Sequence, residues 1–218
     1  NLTGRRDGSS RFGVGNRFAN FGAIGVAWIF SKESFFQNSQ SLLSFGKIRS
    51  SYGISGSDQI GDYQYLDTYQ VSPYLYNTTS GLAPSRLYNP NFGWETNKKL
   101  ELGLELGFLQ DQFFLSAAWF KNRSSNQLIG VPLPATTGFP SIQSNFDATV
   151  ENTGLEVELR SVHLKKKNFS WTTSLNLTVP KNRLVAFPNL EASTYANSLV
   201  LGESLSIRKV FHYTGIDP

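Results

Sequence analysis

The sequence predicts an all-β protein whose long antiparallel strands form an arc of a large transmembrane β-barrel, and three observations carry that prediction. Apolar side chains recur at every second residue through several windows, the period that gathers them on one face of an extended strand. These windows run to roughly ten residues or more, where ordinary strands average about five or six and a tilted bilayer crossing takes about 9–11. Very short turns alternate with long connections rich in Pro, Asn, Ser and Gly, the asymmetry of a membrane barrel.

Composition agrees. The 218 residues are 39% apolar, 17% charged and 14% aromatic, below the usual apolar and charged shares of soluble domains, which are about 45–50% and about 25%. A barrel explains both shortfalls, because only its lumen and loops carry charge. With 17 Phe, 9 Tyr and 4 Trp and a net charge of +4, the chain is no disordered tail. The lack of Cys excludes a disulfide scaffold and a thiolate metal site. No run approaches a membrane-spanning helix, and a bilayer then leaves only a closed barrel to satisfy every backbone group. The pI near 9.3 rests on scattered residues apart from Arg5, Arg6 and Lys165, Lys166, Lys167, which read as solvated turns, so no nucleic acid is expected. Residue 1 is Asn and no Met is present, so the chain reads as an internal or processed piece of something longer.

The elements follow in order as strands at 21–31, 42–55, 98–109, 112–128, 148–164, 168–180 and 205–214. In the first, Ile24, Val26, Trp28 and Phe30 share a face among small residues. From Lys99 the alternation is strict: Leu100, Leu102, Leu104, Leu106 and Phe108 oppose Lys99, Glu101, Gly103, Glu105 and Gly107. Phe113, Leu115, Ala117 and Trp119 form a further apolar face, although Phe114 and Phe120 lie opposite. Leu155, Val157 and Leu159 oppose Glu156, Glu158 and Arg160, and Phe169, Trp171, Leu175, Leu177 and Val179 oppose Ser, Thr and Asn residues. Gln110 with Asp111, and Lys165 to Asn168, are hairpin-sized turns; 57–93, 129–147 and 181–204 are long connections that hold nearly every Pro.

Trp28, Phe30, Phe108, Phe113 and Phe169 fall beside the short turns and read as an aromatic girdle at one membrane interface. Lys99, Glu101, Glu105, Glu156, Glu158 and Arg160 are the expected lumen-facing residues. A closed seven-strand barrel would fill with side chains, whereas these charges suit a wide, wet lumen, so the chain is read as part of a larger ring. The alternative is a soluble β-sandwich, a glycan-binding or adhesin module, in which the leucine faces pack against a second sheet.

Several segments resemble the TonB-dependent outer-membrane transporters of the SusC/RagA type from Bacteroidetes. They are GNRFANFGAIGVAWIFSKESFF (15–36), LLSFGKIRSSYGISGSDQIGDYQY (42–65), NPNFGWETNKKLELGLELGFL (89–109) with its NPxxxWE strand start, ATTGF (135–139), NTGLEVEL (152–159) and GIDP (215–218). One departure is clear, since His212 and Tyr213 stand where the family has Tyr-Gly before the GID element. The resemblance implies a barrel of about 22 strands, of which residues 1–218 are a partial wall. It further implies that the N-terminal plug, the TonB-contacting segment and the final strands lie outside this stretch. It implies uptake of oligosaccharides, or in some members peptides, energised through TonB, with a SusD-like surface lipoprotein as lid and outer-membrane lipids around the barrel.

No catalytic residue, metal or cofactor is expected. His163 and His212 sit in strand-like windows without HExxH, GxSxG or Cys, and lumen lining explains Glu156 and Glu158 without acid–base chemistry. Binding is better represented. The 57–93 connection carries Tyr63, Tyr65, Tyr69, Tyr74, Tyr76 and Tyr88 among Asp, Gln and Asn residues. Tyrosine offers a flat apolar face to a sugar ring and a hydroxyl to its oxygens. These residues are candidate contacts either for substrate or for the lid.

Overall fold

The structure, a computed structural model, describes residues 1–34, 36 and 42–215. Its strands are β1 (Leu2–Gly8), β2 (Phe18–Trp28), β3 (Leu43–Ser57), β4 (Thr68–Tyr76), β5 (Thr79–Arg86), β6 (Glu95–Phe108), β7 (Phe113–Ser125), β8 (Gln127–Pro132), β9 (Ser141–Phe146), β10 (Thr149–Lys166) and β11 (Phe169–Ala186). A seven-stranded sheet in the order β1-β2-β3-β6-β7-β10-β11 forms the wall, with every neighbouring pair antiparallel. Two hairpins, β4-β5 and β8-β9, are inserted into the β3-β6 and β7-β10 connections. No described helix is long and apolar enough to cross a membrane.

Register aligns the apolar faces into one continuous band. Leu102 lies opposite Ser50 and Trp119, Trp119 opposite Leu155, and Leu155 opposite Val179; the rows below run Leu104, Ala117, Val157, Leu177 and then Leu106, Leu115, Leu159, Leu175. Leu102 is 48% exposed, Leu175 62% and Val179 56%. A sandwich would bury these side chains; among the described residues nothing covers them. The wall is a single layer.

Close packing sits instead at the long-connection end. Phe12 and Phe92 are fully buried, with Phe12 5.3 Å from Trp94 and Trp94 5.5 Å from Phe21 between ring centroids. Ala148, Val150 and Leu184 make a second cluster against Phe146, Phe187, Leu190 and Leu199. The NPNFGW segment is fastened there by side-chain amides. Asn16 Nδ2 donates to Pro90 O at 3.2 Å, Gly93 N–H donates to Asn145 Oδ1 at 2.9 Å and Asn145 Nδ2 donates back to Gly93 O at 2.8 Å.

Several expectations need correction. The strand placed at 21–31 is β2, ending at Trp28; Phe30 then enters a 3-10 turn. Phe30 is buried there, against Trp28 at 5.9 Å, Phe36 at 5.2 Å and the bare Cα of Gly46, so it leaves the girdle. Trp28, Phe113 and Phe169 keep the exposure a girdle requires. The run 112–128 is two strands because Asn126 has a left-handed φ of 55°, which an extended ladder does not accept. The 57–93 and 129–147 connections hold the two hairpins; Pro73 and Pro84 are accommodated at irregular register steps. β11 continues past 180 to Ala186.

Residues 205–214 form no strand. The returning chain pairs briefly with β11 through Leu184 N–H to Glu203 O and Gly202 N–H to Leu184 O, but a turn closed by Ile207 N–H to Ser204 O takes it off the edge. β1 was not expected, because LTGRRDG carries no apolar alternation; it is fixed by seven register pairs to β2. Phe35 and residues 216–218 of the two outermost resemblance segments lie outside the described residues.

Candidate functional site

The face of the sheet opposite the leucine band, called inward below, carries Lys99, Glu101, Glu105, Glu156, Glu158 and Arg160. Along β6, Lys99, Glu101 and Glu105 alternate with the leucines, and register places Ser51 opposite Glu101 and Lys47 opposite Glu105 on β3. Lys47 Nζ reaches Glu105 Oε1 at 3.2 Å, Arg49 Nε reaches the same oxygen at 3.2 Å, and the Arg49 guanidinium also pairs with Glu101. Gly103 makes this possible. Arg49 stands directly opposite Gly103, and a Cβ there would lie 2.6 Å from Arg49 Nε. The missing side chain is the seat in which the guanidinium lies flat and bridges diagonally to both carboxylates.

On β10, Glu156, Glu158 and Arg160 share the inward face opposite the small residues Ala118 and Ser116 and the ring of Phe114. All are exposed, and none forms an ion pair among the described residues. The expected lumen residues therefore divide into a cross-linked set on β3-β6 and a solvated set on β10. Between them an open concavity of about 590 Å³ is lined by Gly53, Lys99, Glu101, Phe120, Asn122 and Glu156, among others. Phe120 lies over Gly154 on the next strand, where a Cβ would meet its ring at 2.6 Å. The surface thus offers both signs of charge, an amide and one aromatic face to a polar solute.

The tyrosines are not gathered into one pocket. Tyr63, at a φ of 53°, accepts from Arg86 through its carbonyl, and its ring is exposed. Tyr65 is half-buried, with its carbonyl accepting from Asn89 N–H at 2.9 Å. Tyr69 and Tyr74 project from β4 and are 60% and 83% exposed; Tyr76 ends the same strand, and Tyr88 stands exposed before the NPNFGW segment. No ring contact joins the described tyrosine rings to one another. His163 occupies the bulge between Val162 and Leu164, sharing a hydrogen bond with Thr173 Oγ1 at 3.1 Å beside Trp171. The described residues contain no cluster of potential metal ligands.

Sequence reasoning missed Lys47 and Arg49, although the period-two spacing in GKIRS could have placed them opposite the ELELG run. It also missed Glu151. This carboxylate is fully buried and lies on the outward face, held by Arg123 Nε at 2.6 Å, Arg183 Nη2 at 2.7 Å and Lys121 Nζ at 3.3 Å.

The chain matches a family described as TonB dependent receptor-like, beta-barrel, over residues 1–204. Among curated relatives, TonB-dependent receptor P39 of Formosa agariphila is 34% identical over 92% of this chain and 19% of its own length. TonB-dependent receptor SusC of Bacteroides thetaiotaomicron is 29% identical over 89% of this chain and 20% of its own. Among solved structures, the RagAB peptide importer in its closed-closed state superposes with a TM-score of 0.79 at 27% identity, over 87% of this chain and 21% of that one. The chain spans about a fifth of the length of the relatives it matches.

Proposed function

Since the chain belongs to the TonB dependent receptor-like β-barrel family, we propose that it forms part of the barrel wall of an outer-membrane nutrient importer. In this reading the importer is energised through TonB, takes up oligosaccharides and is lidded by a SusD-like surface lipoprotein. The observation that carries the reading is the division of one sheet into an uncovered leucine band and a charged, groove-bearing opposite face. Only hydrocarbon tails on one side and water on the other stabilise such a sheet.

The plug, the TonB-contacting segment and the remaining strands belong to the rest of the receptor. The concavity then lies on the lumen wall, and the exposed tyrosines of β4 and its flanks stand at the long-connection rim, where they contact cargo or lid. Saccharide cargo is supported by these tyrosines and by Phe120 and Asn122, which suit stacking and hydroxyl recognition. A peptide cargo is the second reading, favoured by the likeness to the RagAB peptide importer and by the presence of both charge signs in the groove.

Cysteine accessibility tests the orientation in the full-length receptor in native membranes. Leu104→Cys is expected to resist a water-soluble maleimide, while Glu101→Cys reacts once the lumen is reached. Labelling in the opposite sense removes the membrane reading. Uptake of radiolabelled oligosaccharide and peptide mixtures by cells carrying the receptor then separates the two cargo classes.

A further inference from the structure

At the long-connection end of the outward face, the apolar band gives way to a ring of cations laid across four adjacent strands. Register fixes the rows. Lys98 of β6 stands opposite Arg123 of β7, Arg123 opposite Glu151 of β10, and Glu151 opposite Arg183 of β11. One step toward the band, Leu100 stands opposite Lys121, Lys121 opposite Thr153, and Thr153 opposite Lys181. The following row is Leu102, Trp119, Leu155 and Val179. Successive rows lie about 7 Å apart along a strand, so the cations sit immediately above the hydrocarbon-facing side chains.

This patch is built rather than scattered. Glu151, fully buried, is its one acidic member and draws Lys121, Arg123 and Arg183 together. The Arg123 side chain uses Nε for that contact and makes no other hydrogen bond among the described residues. Lys98 and Lys181 are exposed and form no ion pair among the described residues. The ring therefore retains an excess of positive charge, with donors directed outward. Among the described residues the opposite rim carries no such array: Lys165, Lys166 and Lys167 are grouped at the β10-β11 hairpin, and Lys32 stands apart from them after β2.

We infer that this ring binds the net-anionic, phosphate-bearing headgroups of the lipids surrounding the barrel at its long-connection rim. The inference rests on the membrane reading above. Charge complementarity selects the headgroup, because guanidinium and ammonium groups pair with phosphate oxygens. Continuity with the apolar band selects a lipid over a free anion, since one molecule can place its phosphate on Arg123 or Lys181 and its chains on Trp119, Leu155 and Val179.

The test uses the full-length receptor purified in dodecyl maltoside, with equimolar dioleoylphosphatidylglycerol and dioleoylphosphatidylcholine added and retained lipid read by native mass spectrometry. Preferential retention of phosphatidylglycerol is expected. The Lys98→Gln/Lys181→Gln variant, which leaves the Glu151 cluster intact, is expected to lower that preference by about threefold or more, given a few-fold per cation near an anionic surface. Neutralising Lys165, Lys166 and Lys167 at the other rim is expected to leave it unchanged. Equal retention of both lipids, or an unaffected Lys98/Lys181 variant, overturns the proposal. So does loss of the preference on adding millimolar inorganic phosphate but not chloride at equal ionic strength, which would identify a free-anion site. Shielding of Leu104→Cys, measured on the same protein in vesicles, separates the failures. Shielding without lipid preference rejects this inference alone, whereas free labelling rejects the membrane reading with it.

Discussion

Glu151 shows how a single residue can hold strands together where an apolar contact would be expected. Its carboxylate is 2% exposed and takes contacts from β7 and β11 on either side of its own strand. Glu151 is the buried acceptor of charge-assisted contacts whose cations are themselves partly exposed, so removing it forfeits those hydrogen bonds at a cost of about 1.5–3 kcal/mol. Glu151→Ala is therefore expected to destabilise the full-length receptor by that order, read as a lower urea midpoint in lipid vesicles; a shift below 1 kcal/mol would show that the cations re-solvate freely. Glu151 was not legible in the sequence because it falls on the face that alternation assigns to lipid, and its partners are named only by register. Glu101 and Glu105 were legible, since period two alone places them opposite the leucines.

At the scale of elements, the long strands could be read because their burial is one-sided, and the inserted hairpins could not. β4 and β5 contain Pro73 and Pro84 and break register where these occur, so neither shows an uninterrupted period. The 205–214 segment failed in the other direction: Val210 and Phe211 look strand-like, yet the chain turns off β11 before reaching them. The β8-β9 hairpin matters more than its length suggests, because Asn145 joins it to the start of β6. Its amide satisfies Gly93 N–H and Gly93 O, and it also donates to Asn126 O at 3.0 Å. Asn145→Ala leaves these backbone groups without that partner and is expected to cost about 1–3 kcal/mol. Hydrogen exchange is expected to quicken at Gly93 and Trp94 while the β10-β11 ladder stays protected; uniform quickening would mean that the hairpin supports the whole sheet.

For the whole molecule, what sequence conveyed was the one-sided character of the wall, and what it withheld was the exact seating of each strand against the next. Leu104 and Glu105 are consecutive, yet one faces outward beside Ile48 and Ala117 and the other pairs with Lys47 and Arg49. Leu104→Arg, near the middle of the apolar band, is expected to cost about 2–4 kcal/mol. Glu105→Gln, losing part-exposed ion pairs, is expected to cost about 1 kcal/mol or less. Equilibrium unfolding of the full receptor in vesicles distinguishes them, and equal losses would mean that both faces share one environment.

Once the two inserted hairpins are set aside, every ladder in the wall joins segments that follow one another along the chain. Assembly therefore asks no remote stretch of polypeptide to arrive before its neighbour can settle. Each new strand finds its template in the one just laid down, so the entropy of closing each contact stays small. The tight reversals at 109–112 and 167–168 mark where this zippering starts afresh, and the seven strands can be laid down in order, rung upon rung.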